Sequence, residues 1–178
     1  MFIAVQLLCG VAFATEFNLA NDFSTNSNPN GTWSYGWDFA NQPPVSGLRY
    51  LTLSGDAWIS TNGVAICKEV SGGVVLQSSE TASPIVRWTA PAGIGLATIQ
   101  INGVMPESET GIQIHRGSGS ILTVTNASAF SIKQMVEPGE EIYFVSLAGY
   151  GSNTKPLDLT ITTIAENLHL TMFDDFNH

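Results

Sequence analysis

From Thr32 onwards the chain is a succession of short apolar runs separated by Gly, Pro, Asn and Ser. In residues 157–162 every second side chain is apolar, which is the period of a strand with one buried face. Many short strands at regular spacing predict a β-sandwich or a β-barrel. The runs are WSYGWDF, LRYLTLS, VAICKEV, GVVLQS, PIVRWTA, LATIQIN, GIQIHR, ILTVT, AFSIKQMV, EIYFVSLA and LDLTITTI.

Turn-forming residues divide the runs from one another. Residues 116–120 (RGSGS) are typical of a hairpin loop, and Asn102-Gly103 predicts a tight turn. At 178 residues the chain fits one domain, and a domain of this size needs neither a disulfide nor a metal to hold its core. We therefore expect one β-sandwich domain over residues 15–165, followed by a tail over residues 166–178 that is either a last strand or a short helix.

Residues 1–14 (MFIAVQLLCGVAFA) resemble the end of a secretory signal peptide. An apolar stretch is followed by Ala12-Phe13-Ala14, a small-x-small cleavage pattern. The stretch is too short to span a bilayer. The alternative interpretation is that Phe2–Leu8 forms a first strand of the mature fold, available to complete a neighbouring sandwich.

The charge balance limits the partners that such a chain can bind. Fifteen acidic residues against six basic ones give a net charge of −9, and charged residues make up only 12% of the chain. Scattered basic residues disfavour nucleic acid and anionic membrane surfaces. A surface rich in Ser, Thr, Asn and Gly, with few charges, is typical of extracellular bacterial proteins. The basic residues are Arg49, Lys68, Arg87, Arg116, Lys133 and Lys155.

Several motifs resemble those of a family of secreted bacterial β-sandwich proteins that often carry an exosortase-sorting (PEP-CTERM-type) tail. Residues 28–31 (NPNG) followed by 33–36 (WSYG) resemble the opening of that family, and residues 86–91 (VRWTAP) resemble its central strand. Residues 139–144 (GEEIYF) and 157–161 (LDLTI) are similar to its closing strands.

This resemblance covers roughly residues 17–164 and implies a jelly-roll fold, export, and a role at the cell surface or in extracellular polysaccharide. It implies no enzymatic activity. The chain departs from the family in lacking the sorting tail, and its loop of residues 149–156 is shorter than the usual acidic version. We thus expect an all-β, jelly-roll-like antiparallel β-sandwich.

Residues for catalysis are not grouped in any recognisable motif. Nucleophilic catalysis needs a Ser or Cys with a His base and an orienting acid, and no Gly-x-Ser-x-Gly motif is present. His115 and His169 lie on alternating stretches where packed or surface histidines are ordinary, and His178 is terminal. We therefore expect a protein that is not an enzyme.

Aromatic residues give the stronger indication of a ligand, because flat partly exposed rings suit the apolar faces of sugars. Trp33 and Trp88 are expected in the core. The candidates for a carbohydrate-binding surface are those next to loops or polar residues: Trp37, Tyr50, Trp58 and Tyr150.

A calcium site is a further expectation, at the point where the N-terminal segment and the last strand meet. Asp22 and Asp158 are its candidate ligands, since carboxylate oxygens suit Ca²⁺. The alternative interpretation is a loop acid and a solvent-facing strand residue. No other cofactor is expected.

Two functions fit these observations. The first is a secreted, non-catalytic module that binds extracellular polysaccharide or another glycan through surface aromatic residues. The second is a structural subunit that self-associates in an extracellular matrix or filament.

Overall fold

A computed structural model of the protein describes residues 14–40, 48–68, 73–105, 111–125, 128–147 and 154–164. Besides the four-residue helix α1 (Leu19–Asp22) and a short 3₁₀ helix (Ala92–Ile94), the regular elements are strands. They are β1 (Glu16–Asn18), β2 (Trp33–Phe39), β3 (Arg49–Tyr50), β4 (Thr52–Ser54), β5 (Ala57–Ile59), β6 (Ala65–Lys68), β7 (Val74–Gln77), β8 (Ala82–Thr89), β9 (Ala97–Met105), β10 (Ile112–Arg116), β11 (Gly119–Val124), β12 (Ser128–Val136), β13 (Glu141–Ser146) and β14 (Thr154–Ile164).

The strands form two antiparallel sheets. The eight-stranded sheet has the order β12-β9-β14-β7-β6-β5-β4, with β1 also paired to β14, and the six-stranded sheet has the order β11-β10-β13-β8-β2-β3. From β7 onwards the chain crosses between sheets at every connection except the β10–β11 hairpin. As a result, strands β7 to β14 are arranged as β7-β14-β9-β12 in one sheet and as β8-β13-β10-β11 in the other. This is the jelly-roll arrangement of two Greek keys. The predicted jelly-roll-like antiparallel β-sandwich is confirmed.

The inner faces of the two sheets share one apolar core. Trp33 on β2 and Trp88 on β8 lie directly opposite each other in the register, and both are fully buried. Phe17 on β1 packs edge-on against Trp88, with ring centroids 5.5 Å apart. The core positions predicted for Trp33 and Trp88 are thus confirmed, and burying an aromatic side chain of this kind contributes about 1.5–3 kcal/mol or more.

Helix α1 buries Leu19 and Ala20 in this core, and the carboxylate of Asp22 adds polar links. Asp22 Oδ2 accepts hydrogen bonds from the Asn18 backbone N–H and from the indole N–H of Trp33, each at 3.1 Å. The Asn30 side-chain amide donates to the Asp22 carbonyl oxygen at 2.8 Å. Asp22 therefore links the segment before β2 to the buried indole of Trp33.

Each predicted run contains a strand, but four elements were not predicted: β1, α1, β5 and the 3₁₀ helix. The run LRYLTLS contributes β3 to one sheet and β4 to the other. Residues 1–13 and 165–178, which include the tail and all of the predicted leader except Ala14, lie outside the described residues. Within the described part of the chain, no helix has the length and apolar character needed to cross a membrane.

The predicted turn at Asn102-Gly103 is wrong, since both residues lie inside β9. Gly103 is required there for a packing reason: a Cβ atom at this position would lie 2.1 Å from Cζ of Phe130 on the neighbouring strand β12. The glycine therefore marks the close approach of a ring from the next strand.

We predict that Gly103→Ala destabilises the protein by about 1–3 kcal/mol, because the added methyl group overpacks the Phe130 ring. Thermal or urea unfolding measures the change. In a Phe130→Ala background the same substitution should cost much less. Gly93→Ala is the matched control, because a Cβ at Gly93 meets nothing within 4 Å. Equal costs of Gly103→Ala in the two backgrounds would contradict this explanation.

Candidate functional site

The outer face of the six-stranded sheet carries a second apolar cluster, separate from the main core. Leu48, Ile85, Tyr143 and Val145 pack together there. Gly36 makes room for Leu48, because a Cβ atom on this glycine would lie 2.3 Å from Leu48 Cγ. The outer face of this sheet, which would ordinarily be solvated, thus has an apolar cluster of its own.

Arg87 is the centre of a polar network beside this cluster. Its Nη2 donates to Ser34 Oγ at 3.1 Å and to Tyr50 Oη at 3.0 Å, and its Nη1 lies 2.8 Å from Glu141 Oε1. Only 15% of the side chain is exposed. Its Nε is buried and has no hydrogen-bond partner among the described residues. Because three partners on three other strands hold the guanidinium, its position is fixed.

Tyr50 presents an exposed aromatic ring at the edge of the same sheet. It lies on the two-residue edge strand β3, opposite Gly36 in the register, and 49% of its surface is exposed. Arg87 holds the Tyr50 hydroxyl, and the Arg87 guanidinium carbon lies 5.9 Å from the ring centroid. Contacts of this kind between a cation and a ring are attractive. The ring is therefore both accessible and held in one orientation.

Glu141 is the carboxylate of the network. It accepts a hydrogen bond from the Tyr143 hydroxyl, and its side chain remains 36% exposed. Burial raises the pKa of Tyr143 to about 12, and the bond to Glu141 acts in the same direction. Tyr143 thus stays protonated at neutral pH and continues to donate to Glu141, so the carboxylate is oriented from two sides.

His115 lies next to Tyr143 in the cross-strand register and is buried. Its Nε2 is 3.2 Å from Gln113 Oε1, while its Nδ1 has no hydrogen-bond partner within the described part of the chain. Burial lowers the pKa of His115 below its ordinary value of about 6.5. The imidazole is therefore neutral at neutral pH and is part of the packed face.

A second group of aromatic residues lies on the opposite face of β2 and β3. Trp37 and Phe39 form an edge-to-face pair with centroids 5.6 Å apart. The Arg49 guanidinium carbon lies 5.2 Å from the Trp37 ring and 4.5 Å from the Phe39 ring. Asp38 is a distant ionic partner, with its Oδ1 3.8 Å from Arg49 Nε. Each exposed aromatic residue at this sheet edge is thus accompanied by an arginine.

The predicted surface aromatic residues have different outcomes. Trp37 and Tyr50 both lie at the β2–β3 edge but on opposite faces of the sheet, since Trp37 pairs with Arg49 and Tyr50 pairs with Gly36. Tyr150 lies outside the described residues. The structure therefore does not bring Trp37 and Tyr50 onto one face of the sheet.

The predicted surface position of Trp58 is wrong. Trp58 lies on β5, is only 7% exposed, and stacks on the buried ring of Tyr35 with centroids 6.2 Å apart. Its indole N–H donates to the Ser24 carbonyl oxygen at 2.8 Å. The short polar segments around Trp58 suggested exposure, but β5 turns the ring inward against β2.

The residues that sequence reasoning missed are Arg87 and Glu141. Arg87 is only one of the scattered basic residues in the sequence, and no motif singles out Glu141 as a binding residue. Arg87 stands inside an otherwise apolar run, PIVRWTA, and alternation puts it on the face opposite Trp88. A charged residue at such a position is the signal that could have identified it.

The two candidate calcium ligands have different surroundings. The Asp22 carboxylate already accepts two hydrogen bonds, whereas Asp158 is exposed on the outer face of β14. No group of three or more His, Cys, Asp or Glu side chains converges in the described ranges. Calcium binding by these residues stays a prediction.

No family model matches the chain, and no curated protein matches it. Several solved structures are similar to it, and three of them illustrate the range. The enzymatically active domain of tailspike protein 4 from bacteriophage CBA120 is 13% identical, with a TM-score of 0.43 over 75% of this chain and 19% of that chain. The K1 cleaved adhesin domain of Lys-gingipain from Porphyromonas gingivalis W83 is 8% identical, with a TM-score of 0.44 over 87% of this chain and 100% of that one. CBM35 from Paenibacillus barcinonensis is 11% identical, with a TM-score of 0.36 over 85% of this chain and 99% of that one.

The chain thus spans only 19% of the length of the tailspike structure. With TM-scores below 0.5, these similarities assign neither a fold family nor a function. What the site can do follows from its own geometry. It offers a fixed aromatic face, guanidinium donors and an oriented carboxylate acceptor, all on the outer face of one sheet.

We predict that acidification destabilises the protein through His115. Below about pH 6.5 the unfolded chain binds a proton at this residue, whereas the folded chain resists protonation because its pKa is lower. The stability contributed by the neutral imidazole is therefore present above pH 6.5 and is lost as the pH falls toward the folded-state value. The midpoint of thermal unfolding between about pH 8 and pH 5.5 measures this loss.

His115→Gln should flatten that pH dependence, and the other two histidines, common to both proteins, cancel in the comparison. Identical pH profiles for the wild type and His115→Gln would show that His115 does not titrate differently in the two states.

Proposed function

We propose that the protein is a non-catalytic, extracellular glycan-binding module, and that a sugar ring stacks on Tyr50 beside the Arg87–Glu141 pair. The observation that supports this most is an exposed tyrosine ring whose hydroxyl is held by a largely buried arginine. Pyranose rings have an apolar C–H face and a rim of hydroxyl groups. A flat ring with polar neighbours complements both.

Preorganisation of the ring favours binding. Immobilising a mobile side chain on association costs about 0.5–1.5 kcal/mol. Tyr50 is already restrained by its hydrogen bond to Arg87 and by the guanidinium beside its ring. Stacking of a sugar on Tyr50 therefore loses little binding free energy to ordering of the side chain.

The flanking charges favour a neutral sugar. Arg87 and Glu141 neutralise each other at 2.8 Å, so the site combines donors and acceptors with little net charge. Glu141, which is partly exposed, can accept a hydrogen bond from a sugar hydroxyl next to the stacked ring. A polyanionic glycan is disfavoured, because the whole chain carries a net charge of −9.

The aromatic pair on the other face of the same strands offers a second, separate contact around the edge of the sheet. β3 is the last strand of the six-stranded sheet, so a polymer that passes around the edge meets Tyr50 first and then Phe39, which is 42% exposed. Trp37, which the sequence predicts as a binding residue, contacts both Arg49 and Phe39. In this proposal Phe39 and Trp37 are secondary contacts.

Titration calorimetry with cellohexaose, laminarihexaose, mannohexaose and xylohexaose tests the proposal. We expect the wild type to bind at least one of them and Tyr50→Ala to weaken that binding about 10-fold or more, the loss typical of an interface residue that carries most of the contact energy. Tyr50→Phe keeps the ring but removes its hydrogen bond to Arg87, so it should have an intermediate affinity.

Leu53→Ala is the matched control. Leu53 is also exposed, by 41%, but it lies on β4, the next strand along the chain, which belongs to the other sheet. Its affinity should equal that of the wild type. A Tyr50→Ala protein that keeps both the wild-type affinity and the wild-type number of binding sites, or no binding of the four hexasaccharides at millimolar concentration, would contradict the proposal.

A further inference from the structure

A groove of about 350 Å³ lies on the outer face of the eight-stranded sheet, across β14, β9 and β12. Two adjacent cross-strand rows of outward side chains line it. The first row is Asp158, Val104 and Ala129, and the second row is Thr160, Asn102 and Ser131. The register of the three strands therefore builds the groove, independently of loops.

Hydrogen bonds fix the polar side chains of the second row. Ser131 Oγ donates to Asn102 Oδ1 at 2.6 Å, and Gln100 Nε2 donates to Ser131 Oγ at 2.7 Å. At the other end of the row, Asn18 Nδ2 donates to Thr160 Oγ1 at 3.1 Å. Because the amide oxygen of Asn102 is occupied, its NH₂ group is left with donors that have no partner in the described ranges.

The first row supplies an acceptor and an apolar surface. Asp158 is exposed and forms no ion pair with any of the described residues. Val104, between Asp158 and Ala129, is 43% exposed. The groove thus presents a free carboxylate, free amide donors and an apolar strip within two strand spacings of one another, about 10 Å.

We propose that this groove is a second glycan-binding site, which takes one neutral pyranose ring. Asp158 would accept hydrogen bonds from adjacent sugar hydroxyls, Asn102 would donate to them, and Val104 would contact the C–H face of the ring. Since the two sheets pack inner face to inner face, the groove and Tyr50 face opposite directions. On the condition that Tyr50 also binds glycan, the protein has two sites and links two polysaccharide chains.

The lining favours a sugar over other small ligands. Among the residues that the structure describes, no basic side chain lines the groove, and the Asp158 carboxylate repels phosphates and other anions. One carboxylate is too few for a divalent cation, which prefers six or more oxygen ligands. The volume is at the small end of the roughly 300–1,000 Å³ range of ligand pockets, which suits a single ring.

The test uses the Tyr50→Ala protein, in which the first site is disabled. Each of the four hexasaccharides is titrated into it, and we expect at least one to bind. Adding Asp158→Ala and Asn102→Ala should weaken that binding about 10-fold or more. Thr162→Ala is the matched control, since Thr162 lies on the same face of β14 two residues beyond Thr160 and outside the groove. It should leave the affinity unchanged.

A polymer of the bound sugar then tests the two-site arrangement. Light scattering should show that wild-type protein cross-links the polymer, whereas Tyr50→Ala and the Asp158→Ala/Asn102→Ala variant each fail to do so.

The outcomes separate the two proposals. No binding to Tyr50→Ala, with a single site in the wild type, overturns the groove and leaves the Tyr50 site intact. Binding that is lost with the groove variants but not with Tyr50→Ala supports the groove and overturns the Tyr50 site. No binding to any of these proteins overturns both.

Discussion

The strict alternation of side chains along each strand, locked by burial of the inner faces, is the constraint on which the rest of the structure depends. Trp33 on β2 and Trp88 on β8 are cross-strand neighbours, and both side chains point into the shared core. A slip of one residue would move each of them to the outer face and would expose large apolar surfaces. The register that buries these rings therefore also decides which residues face outward.

Both proposed sites are consequences of that register. Arg87 precedes Trp88, so the alternation that buries the indole sets the guanidinium on the outer face, opposite Ser34. In the other sheet, the buried residues Leu159 and Ile161 set Asp158 and Thr160 outward beside β9. Neither site needs a loop to position its polar groups. Strand frameworks hold side chains more precisely than loops do, which suits recognition of small, weakly bound rings.

Sequence reasoning could predict the strands, the two-layer fold and the core position of Trp33 and Trp88, because alternation and turn residues are local signals. It could not predict the partner of a strand. Tyr50 and Arg87 are 37 positions apart, and only the β2–β3 and β2–β8 pairings bring them into contact. Trp58 shows the same limit, since nothing in its neighbourhood in the sequence indicates that β5 stacks it on Tyr35. The turn predicted at Gly103 is wrong for a similar reason. The Phe130 ring, which requires a glycine at this position, lies on another strand.

The proposed glycan-binding surface is the Tyr50 ring held by Arg87. Nitrogen–proton correlation spectra of the labelled protein, titrated with the hexasaccharide it binds most tightly, test this directly. The Arg87 Nε–H is buried and should give an observable side-chain resonance. We expect that resonance and the backbone amide of Tyr50 to shift in proportion to site occupancy. If both resonances stay unchanged while the protein is saturated with ligand, glycan binds elsewhere, and the proposed Tyr50 site is contradicted.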